Sequence, residues 1–480
     1  MRIKTFSNLL IALPLIFLCA LLPASAQARE VPVPPDKIKY PPLEFNLPQA
    51  ERIALPNGMV LFYIPDHELP LVSVSIIMRA GSVYDPPGKE GLAGLTAYLL
   101  RTGGTTDINS DDLDRRLDYL AVSPSFSASS DSASVDFSFL KSDMDECLSL
   151  LAEMMFKPAF EERKVQLALS QKLEDLRRIG DNPQRLAFRE FYRLLYPDDP
   201  RGRYSTPDSV KNISRTDLSA FHSEYYFPAN MLVAVSGDLS REEAIDAIKK
   251  YFGNNKTALG PVAPAPTPAK LATGVFFINK TLTQATFVNG ELAPDQNDSD
   301  FYAFSILDFI IGSGGFPSRI FSAVRNNEGL AYSAGSFYSA SYGYGIFGTY
   351  AVTKTASTFR AVTLINDILH DAASGSITHD ELQWAKNSIL NAFIFSFETP
   401  HGITARQMAI EFEKLPADYL ISYRKNIEKV TLADLKHVAR KYLNKDKRLT
   451  LILGDTKKFG TLPDGWGEPV FVKTLSEDEN

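Results

Sequence analysis

An internal repeat constrains the fold of this chain more than any other sequence feature. Residues 216–238, "TDLSAFHSEYYFPANMLVAVSGD", align without gaps to residues 433–455, "ADLKHVARKYLNKDKRLTLILGD". Each copy predicts a helix, a loop and a buried strand that ends in Gly-Asp, at Gly237 and Gly454 respectively. The offset of 217 residues is the size of a domain and too long for a solenoid repeat. The chain is therefore predicted to contain two copies of one fold.

Each half mixes strands with helices. "MVLFYIPD", "LVSVSIIMRA" and the alternating "SASVDFSFL" predict strands, whereas "DMDECLSLLAEMMF" and "FEERKVQLALSQKLEDLRRI" predict helices. Strands and helices in separate runs, joined by short turns, are typical of α+β proteins. We expect two homologous α/β-sandwich domains, each a mainly antiparallel sheet with helices packed on it, that face each other as a clamshell.

A proline-rich segment separates the two copies. Residues 259–272, "LGPVAPAPTPAKLA", contain four prolines and can join neither a helix nor a central strand, so they predict a semi-rigid linker. The predicted N-terminal domain covers residues 45–258, and the predicted C-terminal domain covers residues 273–470.

The first residues predict export. Arg2 and Lys4 precede an apolar run of 14 residues at 9–22, and small residues follow at Ala26 and Ala28. This order is typical of a cleaved secretory signal peptide over residues 1–28, whereas a membrane-spanning helix needs about 20 apolar residues. We expect a periplasmic or secreted protein.

The charge and the cysteine count of the mature chain exclude several classes. Without residues 1–28 the chain has 48 basic against 57 acidic residues, a net charge of −9, which argues against a nucleic-acid partner. It contains no second long apolar run, so no membrane span is expected in the mature protein. Its single cysteine, Cys147, cannot form an intramolecular disulfide and lies in an apolar helical stretch.

One predicted helix has an unusual second face. In "EGLAGLTAYLLRTGGTT", leucines at i, i+3 and i+7 from Leu92 form an apolar stripe. Gly94, Ala97 and Tyr98 share the adjacent face, because positions three and four apart are neighbours on a helix. A glycine inside such a helix costs about 1 kcal/mol relative to alanine, so its presence there needs an explanation.

The chain resembles the pitrilysin/insulinase family of zinc metallopeptidases, the group that includes mitochondrial processing peptidase. The resemblance extends over nearly all of the mature chain and is carried by "LPNGMVLFYIPD", "RAGSVYDPPGKEGLAGLTAYLLRTGGT", "YYFPANMLVAVSGD" and "SRIFSAVRNNEGLAYSAGS". In active members, the helix after "GLA" contains a His-x-x-Glu-His motif, whose two histidines bind zinc and whose glutamate activates water.

The resemblance places this motif on a glycine and an alanine, which cannot bind a metal, and on a tyrosine, which alone is a poor zinc ligand. The two histidines fall at Gly94 and Tyr98, and the glutamate falls at Ala97. The third ligand of the family is an acid that corresponds to Glu174 or Asp175, and one carboxylate cannot hold zinc against water. We expect a degenerate zinc site and no cofactor in this chain.

The second half retains more of the family pattern. "SRIFSAVRNNEGLAYS" predicts a helix over residues 318–325, a turn, and a strand from Leu330, so that Arg325 and Tyr332 flank one turn. The resemblance implies that this pair binds the scissile carbonyl and stabilises the oxyanion across the cleft. The alternative is an arginine that caps helix carbonyls and a tyrosine packed in the core.

Two further segments allow two interpretations each. "VSPSFSASSDSASVDFSFL" fits either a sheet edge that pairs with an extended peptide or a solvated hairpin. "GSFYSASYGYGIFGTYAVTK", which includes Tyr338, fits either ordinary hairpin packing or an aromatic wall that contacts substrate.

Heteromeric members of the family divide the zinc site and the Arg–Tyr pair between two subunits. The resemblance therefore implies the non-zinc subunit of an exported metallopeptidase, with zinc in a homologous partner and a peptide as the substrate. The alternative is a peptide-binding or scaffold protein of the same fold without a catalytic role.

Overall fold

The structure is a computed structural model. It describes residues 49–253, 260, 262–265, 271–463, 466, 468 and 470–474. The predicted signal peptide at 1–28 lies outside the described residues, as does half of the predicted linker at 259–272. The predicted domain limits stay predictions.

The described residues form two six-stranded sheets. The strands of the first sheet are β1 (Glu51–Ala54), β2 (Val60–Pro65), β3 (Leu71–Met78), β4 (Ser125–Ala128), β5 (Ala133–Leu140) and β6 (Met231–Gly237). The strands of the second sheet are β7 (Gly274–Asn279), β8 (Gln284–Ala293), β9 (Ala331–Ser341), β10 (Tyr344–Lys354), β11 (Leu449–Gly454) and β12 (Val470–Phe471).

Helices flank both sheets. Those in the half of the chain that contains the first sheet are α1 (Leu92–Thr102), α2 (Ser110–Tyr119), α3 (Met144–Phe156), α4 (Glu162–Arg177), α5 (Pro183–Leu195), α6 (Pro207–Lys211), α7 (Arg215–Tyr225) and α8 (Arg241–Phe252). Those in the second half are α9 (Phe301–Asp308), α10 (Thr358–Ala373), α11 (His379–Ile394), α12 (Pro400–Phe412), α13 (Tyr419–Lys429) and α14 (Leu432–Tyr442). None of the helices in the described residues is both long and apolar enough to span a membrane.

Five strands of each sheet share one topology, and the edge strands β1 and β12 differ in direction and in their place along the chain. The strand order is β1-β2-β6-β3-β5-β4 in the first sheet and β12-β7-β11-β8-β10-β9 in the second. Neighbouring strands are antiparallel except for the pairs β2–β6, β7–β11 and β7–β12. The predicted fold class, α+β with mainly antiparallel sheets, is confirmed.

The sequence repeat occupies equivalent positions in the two sheets. Its strands are β6 and β11, and each lies between one parallel and one antiparallel neighbour. The shared glycines end these strands where a side chain would collide with the antiparallel neighbour: with the Leu71 backbone at Gly237 and with Ala285 at Gly454. Gly237 also has a φ of +135°, which other residues rarely adopt. The repeated glycine at the strand end is therefore a packing requirement.

One face of each sheet packs against helices of its own half. Val135, Phe137 and Phe139 on β5 are 1–2% exposed and pack in the first core, as their alternating spacing predicts. In the second half, α9, α10 and α14 cover the equivalent face of the second sheet.

The opposite faces are covered by exchanged helices. Helix α5, from the first half, packs on β8 and β11, where Phe191 is fully buried. Helix α12, from the second half, packs on β2, β3 and β6, where Met408 contacts Phe62 and Ala234. Each half therefore supplies a helix that covers one face of the sheet in the other half.

Polar contacts fix α12 on the first sheet. His401 lies between the hydroxyls of Ser75 (3.0 Å from Nε2) and Ser236 (3.1 Å from Nδ1), and Ser75 donates to Asp136 at 2.5 Å. Burial lowers the pKa of His401, so the neutral imidazole is favoured, although Asp136 opposes this shift. At the other end of α12, the Arg79 guanidinium donates to the Phe412 carbonyl at 2.5 Å.

Candidate functional site

Helix α1 is held at its first turn by a buried carboxylate. Asp85 accepts hydrogen bonds from the backbone amides of Gly91 (2.7 Å) and Ala93 (2.8 Å), which have no carbonyl partner inside the helix. Burial raises the pKa of Asp85 to about 6, and the two amides oppose this increase. The predicted leucine stripe beginning at Leu92 is buried in the first core. The hydrogen bonds to Asp85 and the buried leucines therefore fix helix α1 on the first core, with its other face turned away from that core.

The face of α1 where the family binds zinc carries no metal ligand of the family type. A Cβ placed on Gly94 would meet nothing within 4 Å, so this position opens to free space. Ala97 is 2% exposed, and Tyr98 is 44% exposed. The Tyr98 hydroxyl donates to Gln171 of α4 at 3.3 Å. Neither an imidazole nor a carboxylate is available at these three positions.

Glu174 lies on α4 and is engaged elsewhere. Its carboxylate accepts two hydrogen bonds from Arg177 at 2.7 and 2.8 Å, and this pairing lowers the pKa of Glu174. Across the described residues, no group of three or more His, Cys, Asp or Glu side chains could hold a metal ion. The residues present do not fit a zinc ion at the family position.

In the second half, a π-helical segment precedes the strand that contains Tyr332. The helix continues as a π-helix over Phe321–Asn327, and β9 begins at Ala331. The helix is thus two residues longer at its end than the prediction of 318–325, and the strand starts one residue later than predicted. Gly329 allows the sharp connection because its φ is +62°. π-helical turns are often found at functional sites.

Arg325 and Tyr332 converge in an aromatic–arginine cluster, which we define as Phe316, Phe321, Arg325 and Tyr332. The guanidinium carbon of Arg325 lies 4.6 Å from the ring centre of Tyr332, 4.7 Å from that of Phe321 and 5.5 Å from that of Phe316. The rings of Phe316 and Phe321 are themselves 4.7 Å apart. Stacking on these faces holds the guanidinium by cation–π attraction.

The aromatic–arginine cluster is open to solvent. Tyr332 is 79% exposed and Phe316 is 66% exposed, so Tyr332 is not a core residue. Arg325 forms no hydrogen bond or ion pair with any residue that the structure describes. Its guanidinium N–H groups and the Tyr332 hydroxyl are therefore available to a carbonyl or an anionic oxygen.

Sequence reasoning identified Arg325 and Tyr332 but missed the two phenylalanines. Phe316 follows the glycines of "GSGG", and Phe321 lies four residues before Arg325 on one helix face. The i, i+4 spacing of Phe321 and Arg325 was a signal that could have identified the stacking.

Comparison with protein-family models decides the family. Residues 61–204 match the model "Insulinase (Peptidase family M16)", and residues 212–389 match the model "Peptidase M16 inactive domain". This chain belongs to peptidase family M16. The predicted family membership is confirmed, on models that together match strands of both sheets.

Relatives in the M16 family have contrasting descriptions. The chain is 26% identical over 341 residues to an "Uncharacterized zinc protease" of Rickettsia bellii, covering 70% of this chain and 81% of that protein. It is 22% identical over 405 residues to the "Non-peptidase homolog YmxG" of Helicobacter pylori, covering 83% of this chain and 92% of that protein.

The structural comparison agrees with this assignment. A peptidase M16 inactive domain from Pseudomonas fluorescens superposes with a TM-score of 0.79 at 25% identity, covering 86% of this chain and all of that one. The M16 fold is therefore present, while the described residues at the family's zinc position do not fit the ion.

Proposed function

We propose that this chain is the catalytically incomplete subunit of an exported heteromeric zinc metallopeptidase. The observation that carries the proposal is the aromatic–arginine cluster, where a half-buried guanidinium without an anionic partner among the described residues is stacked beside an exposed phenol. The absence of zinc ligands at Gly94, Ala97 and Tyr98 supports a division of the site between two chains. A homologous partner would contribute the zinc ion and the general base.

The chemistry of the pair suits carbonyl recognition. Zinc in the partner would polarise the scissile carbonyl and activate water. Arg325 and Tyr332 would donate hydrogen bonds to the same carbonyl region, where negative charge develops in the transition state. Stacking against three rings restricts the guanidinium before substrate binds, so less ordering is required during the reaction.

The alternative function is that of a peptide-binding or scaffold protein. The same donors could hold a peptide carbonyl without any hydrolysis, and one relative is described as a non-peptidase homolog. Turnover and peptide binding therefore have to be measured separately.

The test uses the complex with an M16 homologue from the same genome that has an intact His-x-x-Glu-His motif. Arg325→Ala and Tyr332→Phe are expected to leave the melting temperature and complex formation unchanged, because Tyr332 is exposed and Arg325 forms no hydrogen bond or ion pair with the described residues. Turnover of peptide should fall about a hundredfold or more, since loss of one oxyanion donor costs roughly 3–4 kcal/mol. Tyr119→Phe, at a tyrosine that is 88% exposed, is the matched control.

Three outcomes separate the alternatives. Lowered turnover of correctly assembled complex supports the catalytic role. Unchanged turnover in both variants, with weakened peptide binding, supports the scaffold function instead. A lowered melting temperature with a parallel loss of activity would mean that the pair acts in folding. The export component is tested by N-terminal sequencing from the native cell, with Arg29 as the expected first residue.

A further inference from the structure

A cavity of about 480 Å³ lies in the second half, between α9, α11, α12, α13 and β9. Its volume is in the range typical of small-molecule sites. Much of its wall is aromatic and is formed by Phe301, Phe309, Tyr338, Phe393, Tyr419 and Tyr423. None of the residues of the aromatic–arginine cluster lines this cavity. It therefore constitutes a separate candidate site.

One cationic side chain, that of Arg406, lines the cavity together with these aromatic residues. Arg406 of α12 lines the cavity and is exposed, and it forms no hydrogen bond or ion pair with the residues that the structure describes. Tyr419 and Tyr423 line the same cavity as Arg406; burial raises the pKa of both hydroxyls, and the Arg406 charge opposes both increases. The cavity therefore contains a guanidinium without an anionic partner among the described residues, together with two hydroxyl donors.

One carboxylate, that of Glu413, also lines the cavity, and an arginine that does not line the cavity partly compensates its negative charge. Burial raises the pKa of Glu413, and Arg79 of the first half opposes this increase. Glu413 lies seven residues beyond Arg406, about two helical turns away along the direction of α12. The acidic group therefore does not form an ion pair with Arg406, which stays available to an external anion.

We propose that this cavity binds a carboxylate attached to an aromatic or branched aliphatic body, with the carboxylate on Arg406 and the body against the aromatic wall. A planar guanidinium binds a carboxylate through two parallel hydrogen bonds, which gives both energy and orientation. Aromatic side chains supply a large apolar contact area for the body. The carboxylate could belong to a free acid or to the last residue of a peptide. The proposal is independent of the proposed peptidase function.

The fluorescence of Trp384 can be used to measure binding in this cavity. The Trp384 ring lies 5.0 Å from the ring of Phe309, which lines the cavity. In a Trp466→Phe background, fluorescence of Trp384 would be titrated with N-acetylphenylalanine and with N-acetylphenylalaninamide. These ligands share one apolar body and differ in the carboxylate. We expect saturable binding of the acid and binding of the amide weaker by about tenfold or more.

Variants assign the carboxylate to Arg406. Arg406→Gln should remove the preference for the acid, whereas Arg424→Gln, at an arginine of α13 that does not line the cavity, should retain it. Ala409→Phe should weaken both ligands by filling the cavity, and it tests the site if Arg406→Gln melts early. Equal binding of acid and amide, no saturable binding of either, or an unchanged preference in Arg406→Gln would overturn the proposal.

A second pair of ligands identifies the source of the carboxylate. Acetyl-Gly-Gly-Phe would be compared with the same peptide amidated at its C-terminus. Tight binding of the free-carboxylate peptide indicates a site for peptide C-termini. Binding of N-acetylphenylalanine without binding of either peptide indicates a site for small acids. Both results support the shared chemistry.

Discussion

Replacing Phe191 with alanine should destabilise the second half of the protein, although Phe191 belongs to the first. Phe191 is fully buried on α5, its ring lies 5.2 Å from that of Tyr192 and 6.3 Å from that of Phe337, and it packs against Gly290 of β8. Truncation of a buried phenylalanine typically costs 3–5 kcal/mol. Most proteins are stable by only about 5–15 kcal/mol, so this loss is large. At roughly 2–4 °C per kcal/mol, the melting temperature should fall by about 6–20 °C.

Tryptophan fluorescence makes this effect specific to the second half. The chain has two tryptophans, Trp384 and Trp466, and both follow the predicted linker in sequence. Their unfolding midpoint in urea should shift in Phe191→Ala and stay in place in Tyr119→Ala, an exposed aromatic control. If the tryptophan transition were unchanged while circular dichroism showed an early loss of helix, the halves would unfold independently and the exchange of helices would not stabilise the second sheet.

Three further predictions concern zinc, packing and pH. The purified chain alone should contain no stoichiometric zinc by elemental analysis and should hydrolyse no peptide; about one zinc per chain, removable by a chelator, would contradict this. Gly290→Ala should lower the free energy of unfolding by about 1–3 kcal/mol, because its Cβ would lie 2.6 Å from the Phe191 ring. Gly94→Ala, where the added Cβ meets open space, should instead raise the free energy of unfolding by about 1 kcal/mol. Equal effects of the two substitutions in urea denaturation would refute the packing argument. Burial raises the pKa of Asp308 from 3.8 to about 6, so its contribution to stability is full below pH 3.8 and is lost as the pH rises through 6. The wild type should lose roughly 2 kcal/mol more than Asp308→Asn between pH 4 and pH 7, and parallel pH profiles would exclude this.

The sequence predicted the fold well because local signals repeat across the chain. Capping residues begin the repeated helix in both halves, where the Ser214 hydroxyl accepts from the Asp217 amide and the Thr431 hydroxyl accepts from the Asp434 amide. These capping signals depend on neighbours within a few residues. Local rules of this kind can be read directly from one sequence.

The exchanged helices could not be predicted in the same way. Periodicity shows that a helix has an apolar face, but it does not show which sheet that face covers. Phe191 and Met408 look like ordinary core residues in the sequence, and only the three-dimensional structure shows that each lies on the sheet of the other half.

The candidate site was predicted in part for the same reason. The degenerate residues on α1 and the pair Arg325–Tyr332 were identified through the resemblance to the family, whose motifs lie within short segments of the chain. Arg406 was missed, since the cavity that it lines is assembled from five elements that are distant in sequence.

The exchange of helices imposes an order on biosynthesis. The last strand of the first sheet ends at Gly237, but the helix that covers its open face begins only at Pro400. A chain that emerges from its N-terminus must therefore keep the apolar surface around Phe62 and Ala234 uncovered until most of the second half has been made. Uncovered sheet surface of this kind promotes aggregation. Separation of the gene at the predicted linker would give two fragments that each lack a covering helix, and each would need the other to become soluble.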